Sequence, residues 1–294
     1  MNEPLVSVVV ITYNHEPYIK ECLDGIISQK TDFPIEILVN DDCSTDNTAT
    51  IIKEYELKYP NLFRCIYQTE NQYSKGVHPW FDILFPKAQG KYIALCEGDD
   101  YWIDSYKLQK QVDFMEENCD VVACFHNAFQ VYDNERRLFI NINNKSHYLS
   151  VEEMLCRWQI PTASLLYRRE ILFGKECLLG KYVNGDYALE LTLMSCGSFY
   201  YNDSIMSVYR MHSDSLSANL NINAIYLYSQ IIKLLERAKS LYTENYYKYF
   251  DKAINNYNSL IIETMLLNHP LKKWFNRKTY TRWIKKKMIK ILNR

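Results

Sequence analysis

The chain has 294 residues, 48% of them hydrophobic, and a formal net charge of −1. That length admits one large domain or two small ones with a sizeable core, and the near-neutral balance offers nothing global to nucleic acid. Nine cysteines are scattered without a CxxC pair, which argues against a zinc site or a thioredoxin motif and for reduced thiols in a cytoplasmic protein.

The start, Met-Asn-Glu-Pro, lacks a basic leader region, and no stretch approaches 18 apolar residues. The expectation is therefore a cytoplasmic protein without a membrane span. Charge is unevenly spread. Leu271–Arg294 holds ten Lys or Arg and no acid, which leaves the preceding residues with a net −11.

In chain order, Val6–Thr12 is a β-branched run that reads as a fully buried first strand. Tyr18, Cys22, Leu23, Ile26 and Ile27 then share one helical face. Pro34–Val39 is a second strand, and Ser44 or Thr45 is placed to cap a helix running to about Lys58. Asn61–Tyr67 and Tyr92–Cys96 are further strands, Lys107–Asn118 a helix, and Asp120–Phe125 another buried strand. Alternating strands and helices imply a parallel α/β sheet with right-handed crossovers. Glycines are too sparse for a GxGxxG fingerprint. The one GxxxxG spacing, Gly180 to Gly185, is followed by Asp186-Tyr187 rather than Lys and Ser or Thr. A nucleotide on this sheet would be held by acids and a metal rather than a glycine cradle.

The acids stand at the end of the fourth strand, in Glu97-Gly-Asp-Asp-Tyr-Trp102. Ligands of α/β sheets bind beyond the carboxyl ends of the strands. Adjacent carboxylates repel unless a cation lies between them, and Mg2+ or Mn2+ is often held by one or two carboxylates plus substrate phosphates. An acidic turn capping the next helix fits Asp-Asp equally well in isolation.

Val6–Asn14, Glu36–Thr48 and Lys91–Glu116, in this order, resemble family 2 glycosyltransferases of the GT-A fold, of the bacterial surface-polysaccharide type. The resemblance spans residues 4–217. It implies a mostly parallel central sheet flanked by helices, with a Rossmann-like nucleotide-sugar half (about 1–100) and an acceptor half (101–217). Residues 218–294 follow as a helical extension. It implies that Thr12, Tyr13 and Asp41 hold the nucleotide base and ribose. A carboxylate can accept the imide N–H of uracil, and a Tyr ring offers a stacking face, though Tyr13 also fits core packing and Asp41 a helix cap. Asp99 would meet the ribose or sugar, and Asp100 a divalent metal, Mn2+ or Mg2+, on the diphosphate.

The resemblance makes Asp186, in Val183-Asn-Gly-Asp-Tyr-Ala-Leu-Glu190, the catalytic base, with Glu190 as the fallback. Near a helix start, its pKa is expected to fall. Tyr209-Arg-Met-His-Ser-Asp-Ser-Leu-Ser217 matches the family's terminal Tyr-Arg-x-His-x-x-Ser segment. It suggests His212 as a metal ligand and Arg210 or Ser215 as phosphate contacts. Thr162 and Ser164 are candidate acceptor contacts, and Gln72–Trp80 a loop over the donor cleft. Met154 stands where the Gln-x-x-Arg-Trp motif of processive synthases needs its Gln.

Ile222–Leu241 and Asn255–Leu267 read as helices with apolar faces. In the tail beyond them, basic residues interleave with Trp274, Phe275 and Trp283. That pattern suits an interfacial helix on the anionic inner face of the plasma membrane, or a basic face packed on the acidic body.

The expected function is metal-dependent, inverting transfer of a sugar from a nucleoside-diphosphate sugar, UDP favoured, to a hydroxyl of a glycan or lipid-linked acceptor. Two alternatives are a sugar-phosphate nucleotidyltransferase, which would need a Gly- and Arg/Lys-rich first loop absent from Ile11–Glu16, and a catalytically inactive nucleotide-sugar-binding subunit, which would have lost the acids.

Overall fold

A computed structural model describes residues 3–132, 135–140, 145–156, 160–173, 178, 184–212 and 224–268. Contacts divide the chain into two compact units, Met1–Lys181 with Gly185–His212, and Tyr182–Asn184 with Ser213–Arg294. Ser215, Arg157-Trp158 and the basic tail Leu271–Arg294 lie outside the described residues.

The first unit begins with β1 (Val6–Thr12), α1 (Ile19–Ile27), β2 (Ile35–Asp41), α2 (Thr48–Lys58) and β3 (Phe63–Tyr67). The three strands are parallel, with Val6 opposite Ile35 and Ile37 opposite Phe63. β4 (Tyr92–Glu97) lies parallel on the other side of β1. Val6, Val8 and Val10 project to one face and pack with Ile19, Cys22, Leu23 and Ile26 of α1. Val9 is also fully buried, so the strand is covered on both sides, and this is why the segment reads as a β-branched run without alternation.

Neither Ser44 nor Thr45 caps α2. The helix starts after Asn47, which makes no side-chain cap bond, and Asp46 takes the Thr48 N–H at 3.0 Å. Ser44 is occupied instead, donating its hydroxyl to Asp41 and accepting the Asn14 N–H.

Beyond β4 come β5 (Tyr101–Trp102), α3 (Lys107–Glu117), β6 (Val121–Tyr132), β7 (Glu135–Leu138), β8 (His147–Leu149), α4 (Val151–Cys156), β9 (Leu166–Arg168), α5 (Gly185–Met194) and β10 (Ser198–Arg210). One sheet runs β3-β2-β1-β4-β9-β6-β10-β5, with β7 on β6 and β8 on β10. This half is mixed: β6 and β10 are parallel, but β9 is antiparallel to both β4 and β6. Arg168 fastens this short strand, giving hydrogen bonds to the carbonyls of Val121 and Met115 and to the Tyr92 hydroxyl.

The second unit contains α6 (Ala224–Ala238) and α7 (Tyr247–Asn268). Ile231, Leu234, Leu235 and Ala238 form the buried stripe of α6, at helical spacing. Phe250, Ala253 and Ile261 are buried on α7. Among the described residues no helix is long and apolar enough to cross a membrane.

Candidate active site

Two acids are delivered by a tight turn between β4 and β5. The Gly98 N–H bonds to the Ile11 carbonyl at 2.9 Å, and the Asp100 N–H to the Glu97 carbonyl at 3.0 Å. Only glycine fits at 98, because a Cβ there would stand 2.8 Å from Thr12 Cβ and 2.9 Å from His15 Nδ1. β5 then pairs antiparallel with Ser207 and Val208, which carries the end of β10 to the acids. Gly25 allows α1 to close on this strand, since a Cβ there would meet the Trp102 carbonyl oxygen at 2.7 Å.

The end of β10 reads the acidic turn group by group. The Arg210 backbone N–H donates to Asp100 Oδ1 at 2.9 Å, and its Nη1 donates to the Asp99 carbonyl at 2.6 Å. His212 Nε2 lies 3.1 Å from Asp99 Oδ2, and His15 Nε2 approaches the same oxygen at 3.8 Å. Burial opposes the Asp99 carboxylate. The His212 hydrogen bond and the two imidazole charges nonetheless hold its pKa below the ordinary value. Asp100 is the reverse: burial, then the charges of Asp99 and Glu97, push it well up.

Asp100 is 1% exposed, and its Oδ2 is buried without a hydrogen-bond partner among the described residues. The buried Nδ1 of His212 is likewise unpartnered. Among the described residues no cluster of three or more His, Cys, Asp or Glu forms a self-sufficient metal cage. The donor set fits the other mode, in which one or two carboxylates hold the cation and substrate phosphates complete its shell. His212 reaches this turn through the Nε2 contact with Asp99, the residue next to Asp100.

Another edge of the site is built from the loops after β1 and β2. Asn14 Oδ1 accepts the Thr45 N–H, and Glu16 accepts the Asn47 N–H. Asn14 (φ 55°) and Cys43 (φ 65°) are left-handed here, backbone that non-glycine residues adopt rarely and that recurs at binding sites. Tyr13 is 44% exposed, with its ring open to solvent. Thr12 is buried, with its hydroxyl unpartnered. Asp41 is nearly buried and receives both the hydroxyl and the N–H of Ser44; burial raises its pKa, against those bonds. The neighbouring acid, Asp42, anchors the next segment by taking the N–H groups of Gln72 and Tyr73 at 2.8 and 3.0 Å.

That segment ends against the candidate base. His78 stacks on Phe81 at 4.2 Å, and its imidazole fills the space over Gly185. Asp186 lies in the first turn of α5, as expected, but its pKa moves the other way. Burial raises it to about 6 and outweighs the helix-start N–H groups, including that of Tyr187. Glu97 senses Asp186 as well as Asp99, and burial together with these two charges pushes its pKa well up. A third acid thus faces the base, which the sequence signalled only as the first letter of the Glu-Gly-Asp-Asp stretch. Glu190, the fallback base, is buried within α5.

Thr162 is largely buried, and Ser164 fully so, with its hydroxyl donating to the Pro161 carbonyl at 2.6 Å. Ser164 therefore supports a turn rather than facing a ligand.

The family model "Glycosyl transferase family 2" matches residues 7–172, more than half of the chain. The chain belongs to glycosyltransferase family 2. An uncharacterized protein of Mycobacterium tuberculosis is 38% identical over 213 residues, covering 72% of this chain and 60% of that one. The chain thus spans less than two thirds of that relative's length. The UDP-Glc:alpha-D-GlcNAc-diphosphoundecaprenol beta-1,3-glucosyltransferase of Escherichia coli is 29% identical over 217 residues, 73% of this chain and 80% of that one. TarS of S. aureus, solved in complex with UDP-GlcNAc, superposes with a TM-score of 0.68 at 17% identity, over 91% of this chain and 77% of that one. The family 2 chain thus has the expected GT-A fold, as a mostly parallel but mixed sheet.

Proposed function

We propose that this family 2 chain transfers a sugar, with inversion, from a nucleoside-diphosphate sugar to a hydroxyl of a glycan or lipid-linked acceptor in cell-surface glycan synthesis. The observation that carries the reading is the Asp99–Asp100 turn at the end of β4, on which Arg210 and His212 converge and where Asp100 Oδ2 is buried without a partner among the described residues, with Glu97 of the same turn sensing the charge of Asp186. A base and a diphosphate-facing acid pair then serve a single reacting centre.

The acceptor oxygen attacks the anomeric carbon as the bond to the nucleoside diphosphate breaks, and Asp186 receives the hydroxyl proton. Arg210 and His212 fix the Asp99–Asp100 turn that faces the diphosphate. Asp100, with His212, would hold Mn2+ or Mg2+, which supplies charge neutralisation for the departing diphosphate. Asp41 and Tyr13 suit uracil, one as acceptor of its imide N–H and the other as a stacking face. The UDP-glucose donor of the Escherichia coli relative and the UDP-GlcNAc bound to TarS support that base. The diphosphoundecaprenol acceptor in that relative's name supports a lipid-linked acceptor. Such an acceptor gives the basic tail Leu271–Arg294 a reason to attach peripherally to anionic membrane.

The test is a thermal-shift series with UDP, GDP and dTDP, with and without Mn2+, followed by hydrolysis of the matching nucleotide sugars. A ligand that binds the native state raises the melting temperature. Stabilisation by one nucleoside diphosphate, greater with Mn2+, and slow hydrolysis of its sugar are expected. No response to any nucleotide would refute the proposal.

A further inference from the structure

Arg210 is tied to the acidic turn from several sides. Beyond its bonds to Asp100 Oδ1 and the Asp99 carbonyl, the guanidinium lies 4.2 Å from the Tyr101 ring centroid and 5.3 Å from that of Tyr18. Its remaining arm, Nη2, pairs with Glu21 Oε2. Glu21 stands in the first turn of α1, the helix whose backbone closes on Trp102 through Gly25. A guanidinium is a planar fork, so fixing one arm sets the direction of the other. The carboxylate that fixes this arm touches none of the site's acids itself.

We propose that Glu21 is a positioning residue: it orients Arg210, and through Arg210 it holds the Asp99 backbone and the Asp100 carboxylate in the donor-binding arrangement. The inference rests on the reading of this turn as a nucleoside-diphosphate site. Glu21 is more than half exposed, so solvent screens the pair and its effect is modest.

UDP affinity by calorimetry with Mn2+, and the melting temperature, are measured for the wild type, Glu21→Ala and Glu21→Gln, and for Glu21→Ala in an Arg210→Lys background. Glu21→Ala is expected to weaken UDP binding about threefold to fivefold, the scale of an ion pair with one exposed partner, at an unchanged melting temperature. Glu21→Gln, which keeps an acceptor oxygen, recovers part of the loss. In the Arg210→Lys background the alanine substitution changes nothing further. Unchanged affinity in Glu21→Ala overturns the inference. So does tighter binding, which would make Glu21 a competitor for Arg210, or an equal loss in both backgrounds. If Arg210→Lys does not fold, the alanine and glutamine variants decide the matter alone. A wild-type protein that binds no UDP removes the underlying reading, an outcome distinct from variants that bind as well as wild type.

Discussion

The imidazole of His78 occupies the space that a side chain at Gly185 would need, and a Cβ built there would overlap Nε2. The His78 ring packs on Phe81, and its backbone N–H donates to Asp82 Oδ2 at 2.7 Å. Moving the ring therefore means giving up its packing on Phe81. Gly185→Ala should displace either His78 or the first turn of α5, where Asp186 sits. Turnover is expected to fall on the order of 10²-fold, the cost of a small misplacement of a catalytic group. The double variant His78→Ala/Gly185→Ala should recover part of that loss because the space is cleared. Steady-state rates on all three proteins check this. Normal turnover in Gly185→Ala alone would show that the contact has no bearing on the base.

Asp186→Asn preserves shape but cannot take a proton. UDP affinity should stay near wild type while turnover drops about 10²–10⁴-fold, the usual contribution of general-base catalysis. Calorimetry and initial rates separate the two effects. Undiminished transfer would move the role elsewhere, with Glu190 and Glu97 the next acids to test.

The pH profile follows from the direction of the Asp186 shift. Burial raises its pKa from 3.8 to about 6, and the base works only when ionised. The donor-saturated rate per free acceptor should therefore climb through a limb near pH 6 and level above it. The stability contribution has the opposite sign. The folded state keeps a proton that the unfolded chain releases at lower pH, so this group's contribution falls as pH rises from the ordinary carboxylate range to about 6. Asp186→Asn should remove both effects. A limb near pH 4 would mean that the base is not desolvated as the structure has it.

The first half of the fold was legible because parallel strands buried on both faces leave apolar runs, as at Val8–Ile11 and Tyr92–Cys96. The antiparallel insertion of β9 was not, since three residues fastened by Arg168 leave no periodicity to read. Among the site residues, Asp99 and Asp100 were marked by their position after a strand, and the structure joins Asp99 to His212 across 113 residues. Glu21 gave no signal, being an ordinary acid on the polar side of a helix; His78 falls in the Gln72–Trp80 loop expected over the donor cleft, but nothing in the sequence sets it over Gly185. The pKa direction of Asp186 was missed for a physical reason. The helix start was visible in sequence, but the burial that outweighs it comes from tertiary packing.

Asp100→Asn tests the cation reading most directly. Asp100 Oδ1 takes the Arg210 N–H, while Oδ2 is buried and has no partner among the described residues. A buried polar atom left so is costly unless something fills its place. The amide can keep the Oδ1 bond, so fold and melting temperature should change little. It is a poor ligand for a hard cation, which prefers charged oxygen. The variant should therefore bind UDP equally with and without Mn2+, at the affinity of the metal-free wild type. Calorimetric titration of UDP into both proteins, in Mn2+ and in chelator, gives four affinities. If the variant keeps the full Mn2+-dependent gain, Asp100 does not hold the cation, and Asp99 with His212 becomes the set to examine.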